Sequence, residues 1–353
     1  IVRYANHGNT LPTQLSCCLK SSVAGNHHVT CTNHNRFALT DNRTAELATW
    51  DEQILAVQVL ELQEAGFEVA DFGFEAIKPD PVVIDDEAEI PEPPEKAFSK
   101  LGDVWLLGDH RVVCGDSTHG STYETLMNGE RAAMMFTDPP WNVAIGKDSN
   151  PRHRQREGLH NDDLSPEQFA HFLKAFAENA IKYIDGDVYC VLGASEWPTL
   201  DTQLRSVGFH WSATVIWVKD LFVLGRSKYH RRYEPIWYGW NSKGKSSFQN
   251  RRDLDDVWEI PRPRRSEEHP TMKPVELMAR AIENSSKPGD IVLEPFGGSG
   301  ATLLAAESKG RVCYTIELEP RYVDVICRRY QQATGTIPIN AATGQPHDFE
   351  SAD

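Results

Sequence analysis

The sequence predicts a layered α/β fold with a mostly parallel central sheet flanked by helices, plus a small N-terminal helical segment. Three observations carry this. Beyond Lys100, short β-branched or apolar runs alternate with segments of helical period. Near residue 297 a strand pattern runs straight into a glycine-rich loop and then a helix. An acidic, proline-rich stretch sets the N-terminal helices apart from everything that follows.

Residues 1–39 are rich in His, Asn, Thr and Ser and hold no sustained apolar period, so they read as an irregular tail. His27, His28, Cys31 and His34 are too loosely spaced to read as a metal site. Residues 40–76 change character: Leu47, Trp50, Ile54, Leu55, Val57, Leu60, Leu62 and Phe67 recur at helical spacing and suggest two short helices. Residues 77–100, with Pro79, Pro81, Pro91, Pro93 and Pro94 among many carboxylates, read as an extended linker.

The main domain is expected over 101–335. Its candidate strands are Val104–Leu107, Arg111–Cys114, Ala133–Thr137, Val188–Leu192, Ala213–Val218, Pro235–Tyr238, Ile291–Leu293 and Val312–Ile316. Ser165-Pro166-Glu167-Gln168 opens a helix, with Ser as N-cap, Pro in the first helical position and Gln three residues after the cap. Pro274 opens a second and Pro320 a third, running toward Tyr330. Residues 336–353 are expected to be a flexible tail. No internal repeat is visible.

The net charge of −15 is unevenly spread. Residues 41–103 hold 17 acidic and 4 basic side chains, nearly the whole excess, whereas 219–273 hold 13 basic and 8 acidic ones, a local cationic surface despite the low pI. Seven cysteines form no C-x-x-C pair, which suggests neither a disulfide framework nor a cysteine-rich zinc site. No run of about 18 apolar residues occurs, and a cytoplasmic protein is expected.

Two segments carry chemistry. Ile291–Leu293 leads into Glu294-Pro295-Phe296-Gly297-Gly298-Ser299-Gly300 and a helix from Ala301. Glycines let a backbone turn sharply and approach a ligand, and a helix N-terminus offers unpaired N–H groups. The next strand ends at Glu317, where an acidic side chain grips ribose hydroxyls in Rossmann-like folds. A nicotinamide enzyme fits this half equally well. The second segment is a buried-strand pattern that stops at Asp138-Pro139-Pro140-Trp141. Two prolines fix the backbone and present an acid, a carbonyl and an indole in rigid order. Such a trio suits a base amine whose lone pair is delocalised into its ring. Hydrogen bonds to the carboxylate and carbonyl localise that lone pair, and the indole stacks on the base once it leaves the duplex.

Together the two segments resemble the DNA amino-methyltransferases. Asp138–Trp141 looks like their D-P-P-[YW] catalytic motif and Glu294–Gly300 like their [DE]-P-F-x-G-S-G cofactor motif. The catalytic motif comes first, as in the circularly permuted beta group. Cys114-Gly115-Asp116 and His269-Pro270-Thr271-Met272-Lys273-Pro274 resemble further family segments, and the likeness covers about residues 101–335. The resemblance implies a Rossmann-like methyltransferase that uses S-adenosylmethionine on double-stranded DNA, with no membrane partner; a homodimer stays open. Asp138, Pro139, Pro140 and Trp141 would be catalytic. Asp116 would lie near the cofactor's adenine, Thr271 and Lys273 near its methionine carboxylate, and Glu317 on its ribose, with Glu294, Phe296, Gly297, Gly298, Ser299 and Gly300 forming the loop around it. Departures are Glu294 where Asp is commoner, and Tyr233 ahead of Glu234 where a His-Glu pair is the family's habit. An Asp opening the catalytic motif goes with adenine N6, cytosine N4 being the alternative. Residues 40–76 resemble the C-terminal helices of a ParB/sulfiredoxin-like domain.

Other readings explain less. A C5-cytosine enzyme needs a cysteine nucleophile, typically after proline, and no Pro-Cys pair occurs. A nicotinamide dehydrogenase leaves Asp138–Trp141 and Thr271–Pro274 unexplained, and an inactive DNA-binding module leaves both motifs idle. DNA recognition is expected between about 222 and 268, where Arg226, Arg231, Arg232, Arg264 and Arg265 stand among Tyr229, Trp237, Trp240 and Trp258.

Overall fold

In the computed structural model, ten strands form one sheet in the order β10-β1-β2-β9-β8-β3-β4-β6-β5-β7. The strands are β1 (Val104–Leu107), β2 (His110–Cys114), β3 (Ala132–Thr137), β4 (Ile184–Val191), β5 (Phe209–Val223), β6 (Arg231–Asn241), β7 (Val257–Glu259), β8 (Ile291–Glu294), β9 (Val312–Glu317) and β10 (Ile339–Asn340). The structure describes residues 90–142, 163–223, 228–249, 253–262 and 273–351. The chain divides into two units, 1–80 and 81–353, and all described residues lie in the second. The expected helices of 40–76 therefore lie outside the described residues.

The five central strands, β2-β9-β8-β3-β4, are all parallel. Antiparallel strands join at both flanks, β1 and β10 on one and β6 and β5 on the other. Parallel strands covered on both faces must be apolar on both, and β3, Ala-Ala-Met-Met-Phe-Thr, is buried at five of six positions. Its alternate side chains feed two cores. Met134 and Phe136 join one with helices α4 (Val275–Ser285), α5 (Ala301–Ser308) and α6 (Pro320–Thr334), and Met135 joins the other with α1 (Gly120–Met127), α2 (Pro166–Ala180) and α3 (Trp197–Val207). The sheet is thus a mostly parallel layer between two helical layers, as the sequence predicts.

Each strand and helix expected beyond Lys100 is present. The capping box at Ser165 forms in full: its hydroxyl accepts from Gln168 N, and Ser165 N donates to Gln168 Oε1 at 3.0 Å. The hairpin strands β5 and β6 run well past their expected limits because their distal arms leave the core, where no apolar alternation marks them. Helices α1 and α3 and strands β7 and β10 are additional to the expected elements.

Both ends of the main domain differ from expectation. The C-terminal segment packs as far as Ser351. β10 pairs with β1, and Phe349 is buried with its ring edge-on to Trp105 at 5.0 Å. The end of the expected linker is also fixed to the core, because it carries apolar groups and lends donors to a buried acid. Phe98 N, Ser99 N and Ser99 Oγ all donate to the Asp324 carboxylate, at 2.7, 3.0 and 2.5 Å. The Phe98 ring stacks on His347 at 3.5 Å, and Ile90 is buried.

Candidate active site

Strand order sets the site. β3 lies beside β8 although some 150 residues separate them in sequence, so the sheet has a switch point between these parallel strands, and their C-terminal ends form one edge. Asp138 follows β3, Glu294 ends β8, Glu317 ends β9, and Asp116 lies two residues beyond β2. Four carboxylates from four adjacent strands thus line one edge of the sheet.

The glycine loop is shaped from below. Glu294, expected in the loop around the cofactor, uses both oxygens on the protein itself and is only 2% exposed. Thr137 Oγ1 and Phe296 N donate to its Oε1 at 2.7 and 2.9 Å, and Thr302 Oγ1 donates to its Oε2 at 2.9 Å. Burial pushes its carboxyl up to about 8 even with these three donors. Glu294 therefore ties the end of β3 to the loop and to the first turn of α5. Phe296 packs on α2, its ring 5.7 Å from Phe172 and 5.2 Å from Phe176. Gly297 has no room for a side chain, since a Cβ would stand 2.7 Å from Thr315 Oγ1. Gly298, at φ +52°, faces open space. Ser299 is held through its carbonyl and hydroxyl by Arg329 Nη1.

Glu317 reaches the loop from the neighbouring strand. Gly298 N donates to its Oε2 and Glu319 N to its Oε1, both at 2.8 Å, and burial pushes its carboxyl up to about 7. Asp116 is set by Thr118, whose N and Oγ1 donate to Oδ1 at 2.8 and 2.7 Å. Gly115 N donates to Glu317 O, which locks these two acids side by side.

Asp138 stands at the other side of the switch point with its side chain 23% exposed. Trp141 Nε1 donates to Oδ1 at 2.8 Å, so the motif closes on itself, and Lys273 Nζ donates to Oδ2 at 2.7 Å. Burial raises the Asp138 carboxyl, with the Lys273 charge opposing. Burial alone would lower the Lys273 ammonium, but Asp138 and Glu234 outweigh it and the net shift is upward. Lys273 also lies over the Trp141 ring at 4.6 Å. The residue expected near the methionine end of a cofactor is thus bonded to Asp138 in this structure. Trp141 rests against Gly193 after β4, where a Cβ would stand 3.1 Å from its ring. Asn142, at φ +56°, clamps Leu164 twice, donating from Nδ2 to Leu164 O at 3.0 Å and accepting from Leu164 N at 2.7 Å.

Three residues escape the sequence reading in role. Glu234 and Lys219 are buried diagonally across the β5–β6 hairpin, Glu234 standing opposite Trp217, and form an ion pair beside Lys273. Asn142 is the third. A buried charge on a strand carries no local signal, because only its cross-strand neighbour explains it.

The expected recognition segment 222–268 is partly sheet. Trp237 is buried, as its place in the expected strand 235–238 implies, and Trp258 is buried too because β7 carries it into the layer. Arg231, Arg232 and Tyr229 are exposed on the hairpin, and Arg232 Nε donates to Lys219 O at 3.0 Å. Thr271, Arg226, Arg264 and Arg265 lie outside the described residues. The described cysteines, Cys114, Cys190, Cys313 and Cys327, are buried free thiols, and burial pushes Cys114 up to about 12.

A glycine loop opening a helix, at the switch point of a largely parallel sheet and ringed by acids, defines a ligand-binding α/β site with a further acid, Asp138, alongside. Residues 132–328, more than half of the chain, match the model of the N6/N4 DNA methylases, and the chain belongs to this family. It is similar to the DNA adenine methyltransferase YhdJ of Escherichia coli K12, 28% identical over 269 residues that cover 64% of this chain and 88% of the relative. It is also 32% identical over 161 residues to the type II methyltransferase M.Cfr9I of Citrobacter freundii, covering 39% of this chain and about half (51%) of that relative. Similar solved structures include the SAM complex of M1.HpyAVI, 20% identical with TM-score 0.47, covering 62% of this chain and 98% of that one. Another is the cytosine-N4-specific PvuII DNA methyltransferase, 17% identical with TM-score 0.49, covering 65% and 91%.

Proposed function

We propose that the chain methylates adenine N6 in double-stranded DNA, with S-adenosylmethionine as donor. The observation that carries this reading is the juxtaposition of Asp138 and the glycine loop at neighbouring strand ends, joined by the Thr137–Glu294 bond of 2.7 Å. The residues fit the donor. Its sulfonium is cationic, and Asp138, Glu317 and Asp116 give the pocket edge a negative character. Gly298 leaves the loop open to a ligand, and Glu317 offers a carboxylate to ribose hydroxyls. When bound, S-adenosylmethionine supplies an electrophilic methyl group.

The protein's work is positioning. Asp138 accepts a hydrogen bond from the exocyclic amine, which localises the nitrogen lone pair and aims it. The prolines and the Trp141–Asp138 bond keep the carboxylate from turning away. Raised by burial, the same carboxylate is a competent acceptor for the proton the amine sheds afterwards. Trp141, braced on Gly193, offers its indole to an extruded base. Adenine is favoured by the Asp that opens the motif and by the likeness to YhdJ.

The β5–β6 hairpin is the DNA-facing element of this reading. Leu221, Phe222, Tyr229 and Tyr233 are exposed on it beside Arg231 and Arg232, and Phe222 stacks on His230 at 5.3 Å. Exposed aromatics among cations suit a nucleic acid better than water. Nucleoside mass spectrometry of DNA from cells expressing the chain tests the proposal. N6-methyladenine is the expected product, N4-methylcytosine alone would move the assignment to cytosine, and no modified base would remove it. Sequencing of the same DNA identifies the modified sequence.

A further inference from the structure

Asp138 is not available in this structure as an amine acceptor needs to be. Trp141 holds Oδ1, and the Lys273 ammonium sits 2.7 Å from Oδ2, drawing charge away from the oxygen that must localise the amine lone pair. A carboxylate neutralised by an ammonium is a weak acceptor for anything else. The same ammonium has a second carboxylate 3.7 Å away, Glu234 Oε2. That oxygen is buried and has no hydrogen-bond partner, while its twin Oε1 is held by Lys219. A buried carboxylate oxygen left without a donor is costly.

We propose that Glu234 is a positioning residue that takes over the Lys273 ammonium from Asp138 when the target amine arrives. The inference rests on the reading of Asp138 as the amine acceptor. A shift of about 1 Å at the end of the lysine chain brings Nζ within hydrogen-bond reach of Glu234 Oε2. Lys219 anchors Glu234 from the other side, so the carboxylate stays where the ammonium must land. Before the shift the two ammoniums and two carboxylates pair one to one; after it Glu234 holds both ammoniums, and Asp138 keeps Trp141 Nε1 and gains the base amine as hydrogen-bond donors. The device delays full activation of Asp138 until a base with an amine is in the pocket.

The test measures how much the amine itself contributes to binding. The probes are two duplexes of the sequence identified by modification mapping, one with adenine and one with purine, which lacks the amine, at the target position. Affinities are measured with the full chain saturated with S-adenosylhomocysteine, which cannot react. The wild type is expected to prefer adenine. Glu234→Gln, which keeps the shape but not the charge, is expected to reduce that preference about tenfold with cofactor affinity unchanged, since a charge-assisted bond is replaced by a neutral one. The double variant Lys219→Met/Glu234→Gln, which removes the paired charges together, guards against a folding defect and is expected to lose the preference equally. A structural role would weaken both duplexes alike. If Glu234→Gln or the double variant weakens both duplexes equally, or neither, the role of Glu234 is overturned. A wild type that does not distinguish adenine from purine overturns the amine-docking reading itself, and this inference with it.

Discussion

Glu317 shows how much one side chain does in this site. It accepts backbone N–H groups from Gly298 and Glu319, so it shapes the loop, and in the proposed function it is also the acceptor for the ribose hydroxyls. Burial pushes its carboxyl up to about 7, so near neutrality it is only partly ionised. The ionised form accepts from hydroxyls and the protonated form gives up one acceptor position. S-adenosylmethionine affinity should therefore rise as pH rises through about 7 and fall below it, and Glu317→Gln should bind more weakly at high pH with a flatter profile. Calorimetric titrations across pH 6–8.5 check this, and an unaltered profile in the variant would remove Glu317 from the cofactor. Most of the acids and glycines of the site are legible in the sequence because they follow strand patterns directly. Glu294 is legible as a motif residue but not in its role, since its partners Thr137 and Thr302 come from other elements. Glu234 and Lys219 are not legible as site residues at all, for they meet Lys273 only through the pairing of β5 with β6.

At the scale of elements, the glycine loop and the β5–β6 hairpin make separable contributions. Gly297→Ala puts a methyl 2.7 Å from Thr315 Oγ1 and 3.1 Å from Ile326 Cδ1. Overpacking of this kind costs about 1–3 kcal/mol. The variant should melt earlier and bind S-adenosylmethionine more weakly, as thermal unfolding and calorimetry would reveal, while DNA affinity changes little. The hairpin should behave in the opposite way. Neutralising Arg231 and Arg232 together should weaken DNA binding and lower the slope of log affinity against log salt by about one per lost phosphate contact, with cofactor affinity unchanged. An unchanged slope would mean that neither arginine meets a phosphate. The parallel strands were readable because burial on both faces makes them near-continuous apolar runs. The outer arms of β5 and β6 were not, because they leave the core. Three-residue β7 and two-residue β10 are too short to show a period.

The whole molecule is tied at both ends of the main domain. The segment at 90–99 and the C-terminal segment meet on α6, where Asp324 collects three donors and Phe98 stacks on His347. Composition points to an extended linker and a loose tail at these places, and what it misses is sparse apolar anchors such as Ile90, Phe98 and Phe349. A chain beginning at residue 90 should keep the melting temperature of the main domain. A chain beginning at residue 100 leaves the Asp324 carboxylate without its partners, which costs about 1–3 kcal/mol. Thermal unfolding of the two truncations decides this, and equal melting temperatures would mean that the clamp contributes nothing.

In the proposed function Asp138 acts on the amine and the glycine loop on the donor, two tasks held at adjacent strand ends. Single-turnover methyl transfer by Asp138→Ala, with labelled S-adenosylmethionine at saturation and DNA in excess, tests it most directly. Transfer should fall by at least about a hundredfold, because the group that localises the amine lone pair is gone, while S-adenosylmethionine binds the variant as it binds the wild type. Near-normal transfer by Asp138→Ala would mean that this carboxylate does not act on the amine.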